Sequence, residues 1–191
     1  MDFVEVEMLK LGKGKTNHKI TLNGENLLEI KAPDLEFLQL EGDFSRLTML
    51  GLYTPSLKIA PGGLCEARQL RVLKLKVGKN FKLDENFELA ELPLRSLTLS
   101  GAGLNCLADD FFDGPMAEGL EELYLNDNQL TDLPLSLMDC TKLKRLNLSG
   151  NLLTKIPVAI TRLETLLSID LDNNPLSVEE KELAYKLWGV W

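Results

Sequence analysis

The sequence predicts an α/β solenoid, a single stack of coils in which each coil is a short strand, a turn and a convex segment. Three observations carry this. The stretch "LEELYLNDNQLTDLP" from Leu120 recurs as "LKRLNLSGNLLTKIP" from Leu143 and as "LLSIDLDNNPLS" from Leu166. Looser copies in the same phase begin at Leu47, Leu70 and Leu94, so successive starts lie 23, 24, 26, 23 and 23 residues apart. Within each copy the apolar residues alternate only briefly before the chain reaches a turn, a spacing that suits neither an amphipathic helix nor a longer half-buried strand.

The strand comes first in each coil. Leu123 and Leu125 point to one side of it, while Glu122, Tyr124 and Asn126 point to the other. One coil alone has nothing to bury its leucines against, but stacked coils merge them into one continuous core. The turn follows, and Asn128, Asn151 and Asn174 sit where the chain leaves the strand. An amide there satisfies backbone groups that the turn would otherwise leave buried and unpaired. Leu130 and Leu133 then return to the core, and Pro134 and Pro157 suit the opening of a short helical turn, where no N–H is needed.

The pattern L-x-x-L-x-L-x-x-N-x-L at a period in the twenties resembles leucine-rich repeats. The resemblance covers roughly residues 25–176, about seven coils. It implies a curved horseshoe with a parallel β-sheet on the concave face and short helices and irregular segments on the convex face. The "LxxLP" form of the coils spanning 130–157 is similar to intracellular leucine-rich repeat proteins of the Ras-suppressor and Scribble type, and to related bacterial proteins. That likeness implies a non-enzymatic adaptor or scaffold that recognises another protein. The alternative is a regulatory or substrate-recognition subunit of a signalling or ubiquitin-ligase complex.

The first coil poses a register problem. "LEFLQL" from Leu35 fits the opening pattern but lies only 12 residues before Leu47, too few to travel round a coil. Taking Leu28 and Ile30 as the strand pair puts Leu28 22 residues before Leu50 and drops Pro33 into the Asn slot, as Pro55 does one coil later. "FLQLEG" then moves to the back of its coil. Residues 1–24, with the alternating "FVEVEML" and an Asn23-Gly24 turn signal, read as a β-rich N-terminal cap that adds an eighth strand. At the other end, Ser177 three residues ahead of Glu180 is a capping-box signal. Residues 177–191 read as a capping helix whose Val178, Leu183 and Leu187 cover the last coil, with Trp188 and Trp191 finishing the core.

Composition excludes several function classes. The 191 residues are 45% hydrophobic with no linker, so one domain is expected. A net charge of −8 argues against broad nucleic-acid binding, which depends on neutralising phosphates. No apolar run approaches the ~20 residues needed to span a bilayer, and "MDFVEVEML" lacks the basic start of a secretory signal. Cys65, Cys106 and Cys140 occupy different phases of the repeat and do not cluster as the capping cysteines of extracellular relatives do. The expected compartment is therefore reducing, cytoplasm or nucleus.

Chemical motifs are weak. "GKGKT" at 12–16 resembles the end of a phosphate-binding loop, but Leu9 stands where the first glycine is required and no helix follows. Asn147-Leu-Ser149 fits a glycosylation sequon on the outer face of a strand. His18 is the only histidine, so a Ser-His or Cys-His nucleophile has nothing else to build on. Paired carboxylates at Asp109-Asp110 or Asp170/Asp172 read as solvated turns. No enzyme, cofactor or metal is expected.

Binding remains, and the phase says where to look. On the concave face the row between the paired core positions reads Glu29, Gly51, Lys74, Thr98, Tyr124, Asn147, Asp170. The row after it reads Lys31, Tyr53, Lys76, Ser100, Asn126, Ser149, Asp172, and the row before it Leu27, Met49, Val72, Ser96, Glu122, Arg145, Ser168. Met49, Tyr53, Val72, Lys74 and Lys76 make an apolar and basic half. Glu122, Tyr124, Arg145, Asp170 and Asp172, with Asp127 beside them, make an acidic half. Aromatic anchors ringed by polar groups are the usual makeup of an interface hot spot, so these residues are the candidate protein-binding site of an expected monomer. The irregular stretches 77–93 and 105–119 are rival contact sites, since insertions in repeats map to loops. Phe111 and Phe112 are expected to fill the convex side.

Overall fold

In the computed structural model, residues 6–10, 17–83 and 89–190 are described. The strands are β1 (Val6–Lys10), β2 (Asn17–Asn23), β3 (Leu27–Lys31), β4 (Phe37–Asp43), β5 (Met49–Thr54) and β6 (Val72–Val77), followed by β7 (Ser96–Ser100), β8 (Glu122–Tyr124), β9 (Arg145–Asn147) and β10 (Ser168–Asp170). The α-helices are α1 (Pro115–Gly119) and α2 (Val178–Trp188). Eight strands form one all-parallel sheet in the order β1-β3-β5-β6-β7-β8-β9-β10. Parallel neighbours need a crossover between them. Here each crossover is one coil's convex segment, built from short 3-10 turns such as Leu64–Glu66, Leu135–Asp139 and Ile160–Arg162.

The core is the leucine column that the repeat announces. Leu28, Leu50, Leu73, Leu97 and Leu123 are fully buried in successive strands, as are Ile30, Leu52, Leu75, Leu99 and Leu125 two residues on. Fully burying each such side chain stabilises by roughly 1.5–3 kcal/mol, and the column continues through Leu146, Ile169 and Leu171. Phe112 joins the core on the convex side in edge-to-face contact with the half-buried Phe111, ring centroids 4.9 Å apart.

Register in the first coils follows the 22-residue reading, with Leu28 opposite Leu50 and Ile30 opposite Leu52. "FLQLEG" indeed lies at the back, as part of β4. What the sequence did not disclose is its partner: β4 pairs in parallel with β2 over seven residues, from Asn17–Phe37 to Asn23–Asp43, as a separate two-stranded sheet. The Asn23-Gly24 turn exists, with Gly24 at φ +86°, yet it links strands of two different sheets instead of closing a hairpin. The strand at the N-terminal edge of the main sheet is β1. The "GKGKT" stretch, residues 3–5 of "FVEVEML", residues 84–88 of the 77–93 stretch, and Trp191 lie outside the described residues.

Ser177 caps α2 as its motif requires, its hydroxyl accepting from the Glu180 N–H at 3.3 Å. The face turned inward differs from the one expected. Ala184 is buried and Trp188 packs on the core, while the Glu180 carboxylate accepts the Ile156 N–H at 2.8 Å. Val178, Leu183 and Leu187 remain 69%, 39% and 45% exposed. Residues four apart share a helix face, so the stripe 180–184–188 covers the last coil and the two leucines flank it.

Candidate functional site

Strand pairing turns the three sequence rows into physical ladders. Glu29, Gly51, Lys74, Thr98, Tyr124, Asn147 and Asp170 stand opposite one another in sequence along the sheet. So do Leu27, Met49, Val72, Ser96, Glu122, Arg145 and Ser168. The third row is strand-paired from Lys31 through Tyr53 and Lys76 to Ser100. It continues past the shorter strands through backbone bonds such as Gly101 N–H to the Asn126 carbonyl at 3.1 Å.

The face is hollowed in its middle. An open depression of about 510 Å³ is walled on one side by Tyr53, Lys74 and Lys76 and on the other by Glu122, Tyr124, Asn126 and Asp127. Its floor is β7, which contributes only Ser96, Thr98 and Ser100 before Gly101. The hollow exists because small side chains on one strand separate large ones two strands away. These floor residues were visible in the rows, but as small polar residues they carry no signal of their own.

The walls are held by specific contacts. Tyr53 lies between two lysines of its own row, with the Lys31 ammonium 5.2 Å and the Lys76 ammonium 5.8 Å from its ring centroid. Such cation–π contacts stabilise by ~0.5–1 kcal/mol at exposed sites. Gly51 makes room for this arrangement: a Cβ there would come within 3.2 Å of the Tyr53 ring and 3.3 Å of the Glu29 side chain. Partial burial, then the Glu29 carboxylate, hold the Tyr53 hydroxyl above the usual tyrosine range. Across the hollow, burial and Glu122 do the same to Tyr124, whose hydroxyl donates to Glu122 at 3.4 Å. Both phenols are therefore neutral donors at pH 7.

The acidic half is largely occupied with itself. Glu122 is ion-paired with Arg145 and also accepts from the Ser96 hydroxyl at 3.3 Å. Asp170 accepts from the Asn147 amide at 3.2 Å and from the Asp172 N–H at 3.0 Å. Asp127, in the left-handed region at φ +59°, accepts from Asn126 at 2.6 Å. Asp172 is exposed, as is Arg145. Met49 and Val72 are half-buried at the margin of the face, outside the hollow. The structure thus brings Tyr53, Lys74, Lys76, Glu122 and Tyr124 around one depression and leaves Met49, Val72, Arg145, Asp170 and Asp172 beyond it. Among the described residues no group of three or more His, Cys, Asp or Glu converges as a metal site, and no helix is long and apolar enough to cross a membrane.

The leucine rich repeat family model matches residues 93–153 and again 118–176. An internalin from Listeria monocytogenes superposes with a TM-score of 0.57 at 22% identity, over 86% of this chain and 46% of its own. A leucine-rich repeat protein from Leptospira interrogans gives 0.49 at 20% identity, over 85% of this chain and 63% of its own. A plant peptide hormone receptor in complex with RGF2 gives 0.47 at 20% identity, over 89% and 32%. No curated protein matches the sequence. The chain spans about half the length of the internalin, and likeness at this identity is likeness of fold. With the sequence match over 93–176 and the same coil, register and leucine column running back to β3, the chain has a leucine-rich repeat fold.

Proposed function

We propose that this chain is a non-enzymatic protein-binding module, an adaptor or scaffold, that holds a partner protein on the concave face of its sheet. The leucine-rich repeat fold commonly mediates protein–protein interaction, and a rigid sheet presents side chains at low entropic cost to binding. The observation that carries the reading is the hollow floored by β7, with a tyrosine on each wall and opposite charge on its two sides. Aromatic residues bordering a depression are the groups that anchor interfaces, and opposite charges fix the direction in which a partner lies. Three unpaired thiols, two of them exposed, support a reducing compartment, cytoplasm or nucleus.

The test is affinity capture from host lysate read by mass spectrometry. Wild type is compared with a variant carrying Tyr53→Ala, Lys74→Glu, Tyr124→Ala and Asp170→Lys, its folding verified by circular dichroism. Truncating central anchors costs upwards of ~2 kcal/mol each, so a concave-face partner disappears from the variant. Partners retained by both proteins would refute the assignment and move attention to 77–93 and 105–119. A lost partner that is itself an enzyme complex would favour the second reading, a regulatory or substrate-recognition subunit.

A further inference from the structure

The two sides of the hollow differ in what they have left to offer. Glu122 is neutralised by Arg145, and Asp127 and Asp170 are already accepting hydrogen bonds. The lysines have no carboxylate partner. Among the described residues Lys31, Lys74 and Lys76 make no ion pair, Lys31 and Lys76 lying over the Tyr53 ring, whereas Lys19, Lys58 and Lys144 elsewhere each do. A chain of net charge −8 therefore carries, on one wall of the hollow, two lysines without a carboxylate partner, Lys74 and Lys76, with Lys31 on the far side of Tyr53.

Shape adds a second constraint. Lys74 and Lys76 project from the same face of β6, about 7 Å apart, as alternate strand residues do. From β6 across the β7 floor to β8 is two strand spacings, about 10 Å. That width suits an extended chain and lies at the lower limit for a helix, which with side chains measures about 10–12 Å. Beside it stand the two tyrosine rings, and the half-buried serines and Thr98 line the bottom.

We propose that the hollow receives an extended acidic segment of a partner protein, with an Asp or Glu carboxylate seated on Lys74 and Lys76 and its neighbours flanked by Tyr53 and Tyr124. This rests on the concave-face reading and narrows it to a ligand chemistry. Opposite charge at close range is the term that fixes register and rejects wrong partners.

The experiment selects binders to the full chain from a library of random 12-residue displayed peptides and measures the winners against three variants. Lys74→Glu/Lys76→Glu reverses the patch. Lys142→Glu/Lys155→Glu makes the same change in net charge outside the hollow. Ser100→Trp fills the floor, with Tyr53→Ala/Tyr124→Ala in its place should that variant lose its circular dichroism spectrum. The expected winners are enriched in Asp and Glu, bind the patch-reversed protein roughly tenfold or more weakly, and bind the distal charge variant nearly as well as wild type. Winners that are basic or uncharged, equal losses in the two charge variants, or no winners at all would overturn the inference. Loss with Ser100→Trp but not with Lys74→Glu/Lys76→Glu sinks the acidic segment and leaves the concave face standing; indifference to every variant sinks both.

Discussion

The C-terminal coils and the N-terminal coils solve the same turn in two ways. In the three coils from β8 onward, Asn128, Asn151 and Asn174 are buried and each staples two coils together. The Asn151 amide donates to the carbonyls of Leu125 at 3.0 Å and Leu148 at 2.9 Å, and its oxygen accepts the Leu130 N–H at 3.0 Å. Asn128 and Asn174 repeat the pattern on their own neighbours. The residue before each asparagine, Asp127, Gly150 or Asn173, takes a positive φ that turns the chain, and the strands of these coils are three residues long. Upstream the slot holds Pro33, Pro55, Gly78 and Ala102, none of which has an amide side chain. There β5 and β6 run on to six residues, and the first coils are braced at the back by the β2–β4 pair. Side-chain amides hold one half and additional backbone pairing holds the other.

This difference is open to attack. The largest effect is expected at Asn151→Ala, which orphans the buried Leu130 N–H and removes one of two amide donors from each of the Leu125 and Leu148 carbonyls, which keep Asn128 and Asn174. An orphaned buried N–H costs ~1–3 kcal/mol and each lost hydrogen bond ~0.5–1.5 kcal/mol, so urea unfolding should show a loss of about 3 kcal/mol; a loss below about 1 kcal/mol would mean that the ladder is replaceable by water. The N-terminal half predicts the opposite sign. Thr54 is fully buried at the end of β5, and its hydroxyl has no hydrogen-bond partner among the described residues. Thr54→Val exchanges that hydroxyl for a methyl of similar size and should stabilise by about 1 kcal/mol. A destabilised Thr54→Val would show that the N-terminal turns also depend on a side-chain hydrogen bond.

The smallest effect sharpens the contrast through the thiols. Cys65, behind the N-terminal coils, is exposed, whereas Cys140, behind the asparagine coils, is buried. Burial, reinforced by Asp139, pushes the Cys140 thiol up to about 12. A raised value means that the fold favours the neutral thiol. That contribution is complete below the ordinary thiol range near 9 and is lost as the pH climbs towards about 12. In a thiol-reagent assay at pH 8, Cys65 and Cys106 should react at once and Cys140 only on unfolding. Rapid modification of Cys140 would show that the C-terminal half opens more readily than its ladder implies.

Much of the fold was legible because leucine burial is periodic and the period is covalent. A coil has a fixed contour, so the 22-residue spacing from Leu28 to Leu50 settled a register that local pattern left ambiguous. The concave rows were legible for the same reason, since alternate strand residues face opposite ways. The partner of β2 was not. Alternation in "HKITLN" says that one side is buried but not against which sheet. The buried stripe of α2 was also hidden, because Glu180 faces inward to accept a backbone N–H, a role that no apolar pattern marks.

By itself, then, the sequence determined the coil, its core, the place of the asparagine ladder and the list of side chains on the inner face, all of which follow from chain length and from the period of burial. Only the tertiary structure decided which of those side chains are spent and which are free. Glu122 and Arg145 are 23 residues apart and meet across two coils, while Lys74 and Lys76 border a floor of serine and threonine supplied by a different strand. Pairing of charges depends on distances between coils, and those exist only once the coils are stacked.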